Sequence, residues 1–174
     1  MPDLQKLLAV GDTFEFKCML NLRKCMPNAM ILHDLRLDST YLGKETQIDL
    51  VAIDDSGIFV IEAKNWKFWI RGDLDDRQWT GLSSDRKVMT VFNPYDQNII
   101  HVRALRNAIR RRGGKPVIFH NLVVLPDGTE IYSDCKDVVN SSQLPKAIAR
   151  MKKSVDVNLD KKAYIEMIRG VTCS

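Results

Sequence analysis

The sequence predicts an α/β fold, a central mixed β-sheet with helices on both of its faces, and three observations carry that expectation. Two runs, Gln47–Ile53 and Ile58–Lys64, are rich in β-branched and aliphatic residues. Between them lies Asp54-Asp55-Ser56-Gly57, the composition of a hairpin turn. Both runs carry apolar residues on both faces, as strands do when helices cover a sheet from each side. A long helical pattern then opens at Asn93-Pro94, stops at Gly113-Gly114 and leads into a further apolar run, Pro116–Leu125.

The remaining elements follow in order. Asp12, with Glu15 three residues later, has the signature of an N-cap and its capping-box partner. Phe14, Cys18, Leu22 and Cys25 recur at helical spacing, so a first helix is expected to about Met26, where Pro27-Asn28 ends it. Ala29–Leu37 reads as an edge strand, joined to the hairpin through Leu42-Gly43-Lys44-Glu45. The segment from Trp66 to Phe92 is less regular. It holds all three tryptophans and the turn-prone Gly72-Asp73 and Gly81, and is expected to form a small β excursion. Pro126-Asp127-Gly128 closes the later strand, and two short helices near 144–153 and 160–169 follow. The whole, residues 1–174, is taken as one domain with a core of about 10–125 and a C-terminal extension over 126–174.

Composition narrows the class. At 45% hydrophobic and 28% charged residues over 174 positions, the chain can bury a proper core. A formal charge of +4 permits nucleic-acid binding without requiring it. No apolar stretch approaches ~18 residues, so neither a spanning helix nor a membrane partner is expected. The start, Met-Pro-Asp-Leu-Gln-Lys-Leu-Leu, lacks the basic and apolar regions of a secretory signal. Cys18, Cys25, Cys135 and Cys173 show no C-x-x-C pairing and no histidine at ligand spacing, which favours reduced thiols and a cytoplasmic location.

The hairpin carries the chemistry. If Ile53 faces Ile58, residues whose numbers sum to 111 lie opposite each other, setting Asp49 beside Glu62 and Gln47 beside Lys64. Strand alternation would put all four on one face, continued by Val51, Ile53, Ile58 and Val60. Two neighbouring carboxylates at the margin of an apolar sheet repel, unless a divalent cation sits between them. Asp49 and Glu62 suit a hard ion such as Mg²⁺ or Mn²⁺, and the Lys64 ammonium would neutralise charge on a phosphate or orient an attacking water. By spacing alone, the same residues also fit a salt-bridged sheet edge.

Asp, a turn, then Glu-x-Lys on the adjacent strand resembles the catalytic pattern of the PD-(D/E)XK nucleases. More narrowly, QIDLVAIDDSGIFVIEAKNW resembles the core of the nuclease-related domain, or NERD, family. Trp79, the run Asn93-Pro94 with Gln97 and His101, and Gly11-Asp12-Thr13-Phe14-Glu15 resemble further landmarks of that family. Phe68 departs from it, standing where the family often has glycine. The resemblance implies a restriction-endonuclease-like core and a Mg²⁺-dependent (or Mn²⁺-dependent) nuclease. Asp49, Glu62, Lys64 and Gln47 would be catalytic, Asp49 and Glu62 the metal ligands with Glu15 a further candidate, and Gln97 and His101 secondary site residues.

Gln97 and His101 lie at i and i+4, on one helix face. Arg103, Arg106 and Arg110 form a stripe on the same helix, read either as a solvated surface or as phosphate contacts to a nucleic acid, DNA above all. The competing functional class is a noncatalytic nucleic-acid-binding or adaptor domain that retains the fold. The sequence leaves open DNA against RNA, endo- against exonucleolytic cleavage, and whether the chain forms a homodimer.

Overall fold

The computed structural model describes residues 13–39, 44–82, 85, 87–153 and 159–170. Helix α1 (Phe14–Cys25) leads into strands β1 (Met30–Ser39), β2 (Lys44–Asp54) and β3 (Gly57–Ala63). Three short strands follow, β4 (Trp69–Arg71), β5 (Gln78–Leu82) and β6 (Val88–Phe92), and then the long helix α2 (Pro94–Arg111). The chain continues through β7 (Phe119–Leu125), β8 (Ile131–Tyr132), β9 (Val138–Asn140), α3 (Leu144–Lys152) and α4 (Lys161–Arg169).

The main sheet runs β1-β2-β3-β7-β9, antiparallel across the first three strands and parallel from β3 onward. The long stretch containing α2 is the crossover that the parallel β3–β7 pair requires. Helices cover both faces, as the doubly apolar strands demand. On one face Leu50, Ala52, Phe59, Ile61 and Ala63 meet Cys18 and Leu22 of α1 and Ile148 of α3. On the other, Val51, Ile53, Ile58 and Val60 meet Leu105 and Ile109 of α2 and Ile165 of α4. Burying each such aliphatic side chain contributes roughly 1.5–3 kcal/mol, which is how amphipathic helices are held to a sheet.

The Trp66–Phe92 excursion is a second sheet, ordered β6-β5-β4-β8. Its anchor is Trp79, fully buried against Ile70, Val123 and Leu125, with its indole N–H donating to the Asp73 carbonyl at 3.1 Å. Gly72 makes room for that ring: a Cβ there would fall 2.2 Å from Trp79 Cδ1. Gly81 does the same for Phe68, whose ring stacks on Trp66 at 5.5 Å. The departure at Phe68 is thus absorbed by a glycine on the adjacent strand.

Some expectations change. Thr13 caps α1 through its hydroxyl, while Asp12 and Leu42-Gly43 lie outside the described residues. β7 begins at Phe119, three residues after Pro116, and β8 and β9 carried no signal in the sequence because they are two and three residues long. The strict alternation assumed for β2 also fails. The β1–β2 ladder skips Asp34 and Asp49, and Asp34 takes a left-handed φ of +50°, tolerable for a short polar side chain. One step out of phase there leaves Ile48 on the same face as Val51 and Ile53.

Candidate active site

The β2–β3 ladder follows the expected register from Asp54↔Gly57 to Leu50↔Ile61 and stops before the polar residues. Beyond it β3 keeps its parallel pairing with β7, with the Lys64 amide donating to the Val124 carbonyl at 2.9 Å. The Ala63 amide donates to the Asp49 carboxylate, Oδ2, at 2.8 Å. A side chain thus takes the place of a ladder carbonyl, and the hairpin ends in a fork with Asp49 on one prong and Glu62 on the other.

Glu62 is only 3% exposed, and its carboxylate is gripped from two elements. Lys64 Nζ lies 2.6 Å from Oε1, and the Gln97 amide donates to the same oxygen at 3.0 Å. His101 Nε2 faces Oε2 at 3.2 Å, off the line of a good hydrogen bond, so neither atom has a well-aligned partner. The far side of the ring is fixed: Thr46 Oγ1 lies 2.8 Å from Nδ1. Burial works against charge on Glu62, but the His101 contact and the Lys64 ammonium outweigh it and hold the carboxyl below its usual range.

Asp49 is in the opposite condition. Burial and then the Glu62 charge push its carboxyl from an ordinary 3.8 up to about 6. The Ala63 hydrogen bond and Lys64 only partly offset this, and Glu15 adds to it. Glu15 itself is exposed in the first turn of α1. Among the described residues, no group of three or more His, Cys, Asp or Glu side chains is placed to hold a metal ion, so a cation here would rest on the two carboxylates with water and substrate oxygens.

Of the residues singled out in the sequence, the fold brings together Glu62, Lys64, Gln97 and His101, with Asp49 close enough for its titration to feel Glu62 and Lys64. Gln47 does not join them. It is exposed and donates to Asp34 Oδ1 at 2.8 Å, because the phase change at Asp34/Asp49 turns it away. Gln97 contacts Glu62 from the helix instead. The arginine stripe also stands apart: helical geometry sets Arg103, Arg106 and Arg110 on the side of α2 away from Gln97 and His101, where all three are exposed. Arg106 lies over Phe119, 5.0 Å from the ring. Phe119 pairs with Ile58, and Glu62 is four residues further along β3, about 13 Å at the usual rise.

Sequence reasoning missed two buried groups. Asn98, fully buried, donates to the Val60 and Leu122 carbonyls at 2.9 and 3.1 Å and stitches β3 and β7 to α2. Thr46, two residues before Ile48, shares its buried face, and that parity was the one available signal.

A family model described as nuclease-related domain matches residues 10–126. An uncharacterized protein of Bacillus anthracis is 36% identical over 83 residues, a match covering 47% of this chain and 38% of that protein, so the chain spans well under half of its relative's length. No solved structure matches the chain. The family match takes in α1, the forked hairpin, strands β4 to β6, α2 and β7, every element that shapes the Glu62 site. This chain therefore belongs to the nuclease-related domain (NERD) family.

Proposed function

We propose that this chain is a divalent-metal-dependent nuclease that hydrolyses phosphodiester bonds, with DNA as its substrate. The observation that carries the reading is the state of Glu62: a nearly fully buried carboxylate kept ionised by Lys64 and His101, with a second carboxylate crowding it. A structural ion pair would need only one acid. Here two acids share one edge, Asp49 is driven upward by burial and then by the Glu62 charge, and Glu62 Oε2 lacks a well-aligned donor. An all-oxygen set of this kind fits Mg²⁺ or Mn²⁺ held by Asp49 and Glu62, with Glu15 a candidate for the outer rim. When bound, such an ion supplies charge stabilisation and polarises a phosphoryl oxygen.

The chain's own residues supply the rest. Gln97 fixes Glu62 Oε1, and His101, held by Thr46, stands 3.2 Å from Oε2. Lys64 keeps one-fifth of its side chain exposed and sits at the mouth of the fork, where its ammonium can meet charge developing on the phosphate or hold the attacking water.

Supercoiled and linear DNA, incubated with Mg²⁺ or Mn²⁺, test the reading. Wild type is expected to nick or degrade them, and Asp49→Ala, Glu62→Gln and Lys64→Ala to lose at least ~10²-fold in turnover. Lys64→Ala should still bind DNA in Ca²⁺. Metal should raise the melting temperature of wild type and much less that of Glu62→Gln. DNA binding without metal-dependent cleavage by wild type would instead identify a noncatalytic adaptor.

A further inference from the structure

A cleft of about 520 Å³ opens beside the fork, walled by α1 on one side and by the segments leaving β3 and β7 on the other. It lies at the carboxyl ends of two parallel strands, where open α/β sheets place their ligands. Asn65 and Lys67 line it directly after Lys64. Lys17, Asn21 and Lys24 line the helix side at i, i+4 and i+7, one stripe about 10 Å long at the helical rise. The helix that walls it packs through Cys18 and Leu22 against the sheet face of Leu50, Ile61 and Ala63, the last of which holds Asp49 through its amide.

Its three lysines, Lys17, Lys24 and Lys67, face one lining acid, Asp127. Lys64, Lys87, Lys152 and Lys161 each pair with a carboxylate, whereas among the described residues no ion pair engages Lys17, Lys24 or Lys67. The cleft's acid, Asp127, is already accepting from the Ser142 amide. Phe14, half-buried, and Leu20, 43% exposed, add apolar surface at the same wall. Unpaired ammonium groups, amide side chains and an accessible aromatic are the chemistry that tracks a nucleic-acid strand: phosphates on the lysines, a base or sugar on the ring.

We propose that this lysine cleft binds a single strand of DNA and leads its phosphate backbone to Lys64 and the Asp49/Glu62 edge. The proposal rests on the nuclease reading of that edge and names where the substrate lies. Three lysines spread over about 10 Å of helix and the facing segment reach more than one phosphate of a strand. The arginine stripe, on the far side of α2, is not on this path.

The test is fluorescence anisotropy of a labelled single-stranded oligonucleotide in Ca²⁺ over a series of NaCl concentrations. Wild type is compared with K17Q/K24Q/K67Q and with R103Q/R106Q/R110Q. The lysine variant should bind at least ~10-fold more weakly at low salt and show a log–log slope smaller by about 2, at ~0.7 per lost contact on a single strand. The arginine variant should keep both. A lysine variant with wild-type affinity and slope, or a loss confined to the arginine variant, overturns the cleft while leaving the cleavage reading standing. A wild type that binds no single strand also overturns it. Whether the cleavage reading falls too is read separately, from metal-dependent nicking of plasmid by wild type against Glu62→Gln.

Discussion

A carboxyl that titrates near pH 6 in the folded chain and near 3.8 when unfolded makes Asp49 a liability in the metal-free protein. The folded state holds the extra proton between those values, so stability falls as pH rises through that window and stays reduced above it. The rise is equivalent to ~3 kcal/mol, of which about 1–2 kcal/mol survives the screening of a half-buried group. Asp49→Asn can still accept the Ala63 amide, and should raise the melting temperature in EDTA at pH 8 by a few degrees while flattening the profile between pH 4 and 6. Identical profiles for the two proteins would mean that Asp49 is not strained by its surroundings. The proximity of Glu62 and Lys64, and the shared face of Gln97 and His101, could be read from the residues, since each pair is local; that this face turns toward Glu62 came from the family resemblance. Gln47, set beside Lys64 by strict alternation, instead meets Asp34, because a single step out of alternation there, invisible in residue types, reverses the side chains beyond it.

At the scale of elements, α2 is the most legible part of the chain, and Asn93 shows why. Its carbonyl oxygen Oδ1 accepts from the Tyr95 and Asp96 amides as a cap should, and Pro94 follows at the first turn. Its amide also donates to the Asp76 carbonyl at 2.8 Å and the Leu74 carbonyl at 3.3 Å, so one fully buried side chain fastens the helix start to the loop before β5. Only the cap was visible in the sequence; the loop partners are long-range. Asn93→Ala should cost roughly 2–4 kcal/mol, a cap plus two stranded carbonyls. Thr13→Ala, at an exposed cap, should cost about 1 kcal/mol or less. Equal losses in thermal or urea unfolding would show that the Asn93 bridge contributes nothing beyond capping. The tryptophan sheet was foreseen only as an irregular excursion. Its strands are two to five residues long and depend on Trp79 finding Gly72 and Phe68 finding Gly81.

For the whole molecule, the sheet divides the interior into two cores, one under α1 and α3 and one under α2 and α4. Leu22→Ala in the first and Leu105→Ala in the second should each cost roughly 2–5 kcal/mol by opening a cavity. Their effects on the fork should differ. The first lets the α1 wall shift and should move the Asp49 titration. The second slackens α2 one turn from His101 and should alter the Glu62 contacts, seen as changed side-chain resonances of His101 and Gln97. Matching perturbations from both substitutions would mean that the walls move as one. Because β2 and β3 part company before Asp49 and Glu62, no ladder hydrogen bond fixes the gap between the two acids. The gap behaves like the jaw of an adjustable spanner, set by how each core is filled. Substitutions far from either acid would therefore be expected to retune the proposed cation site without touching Asp49 or Glu62.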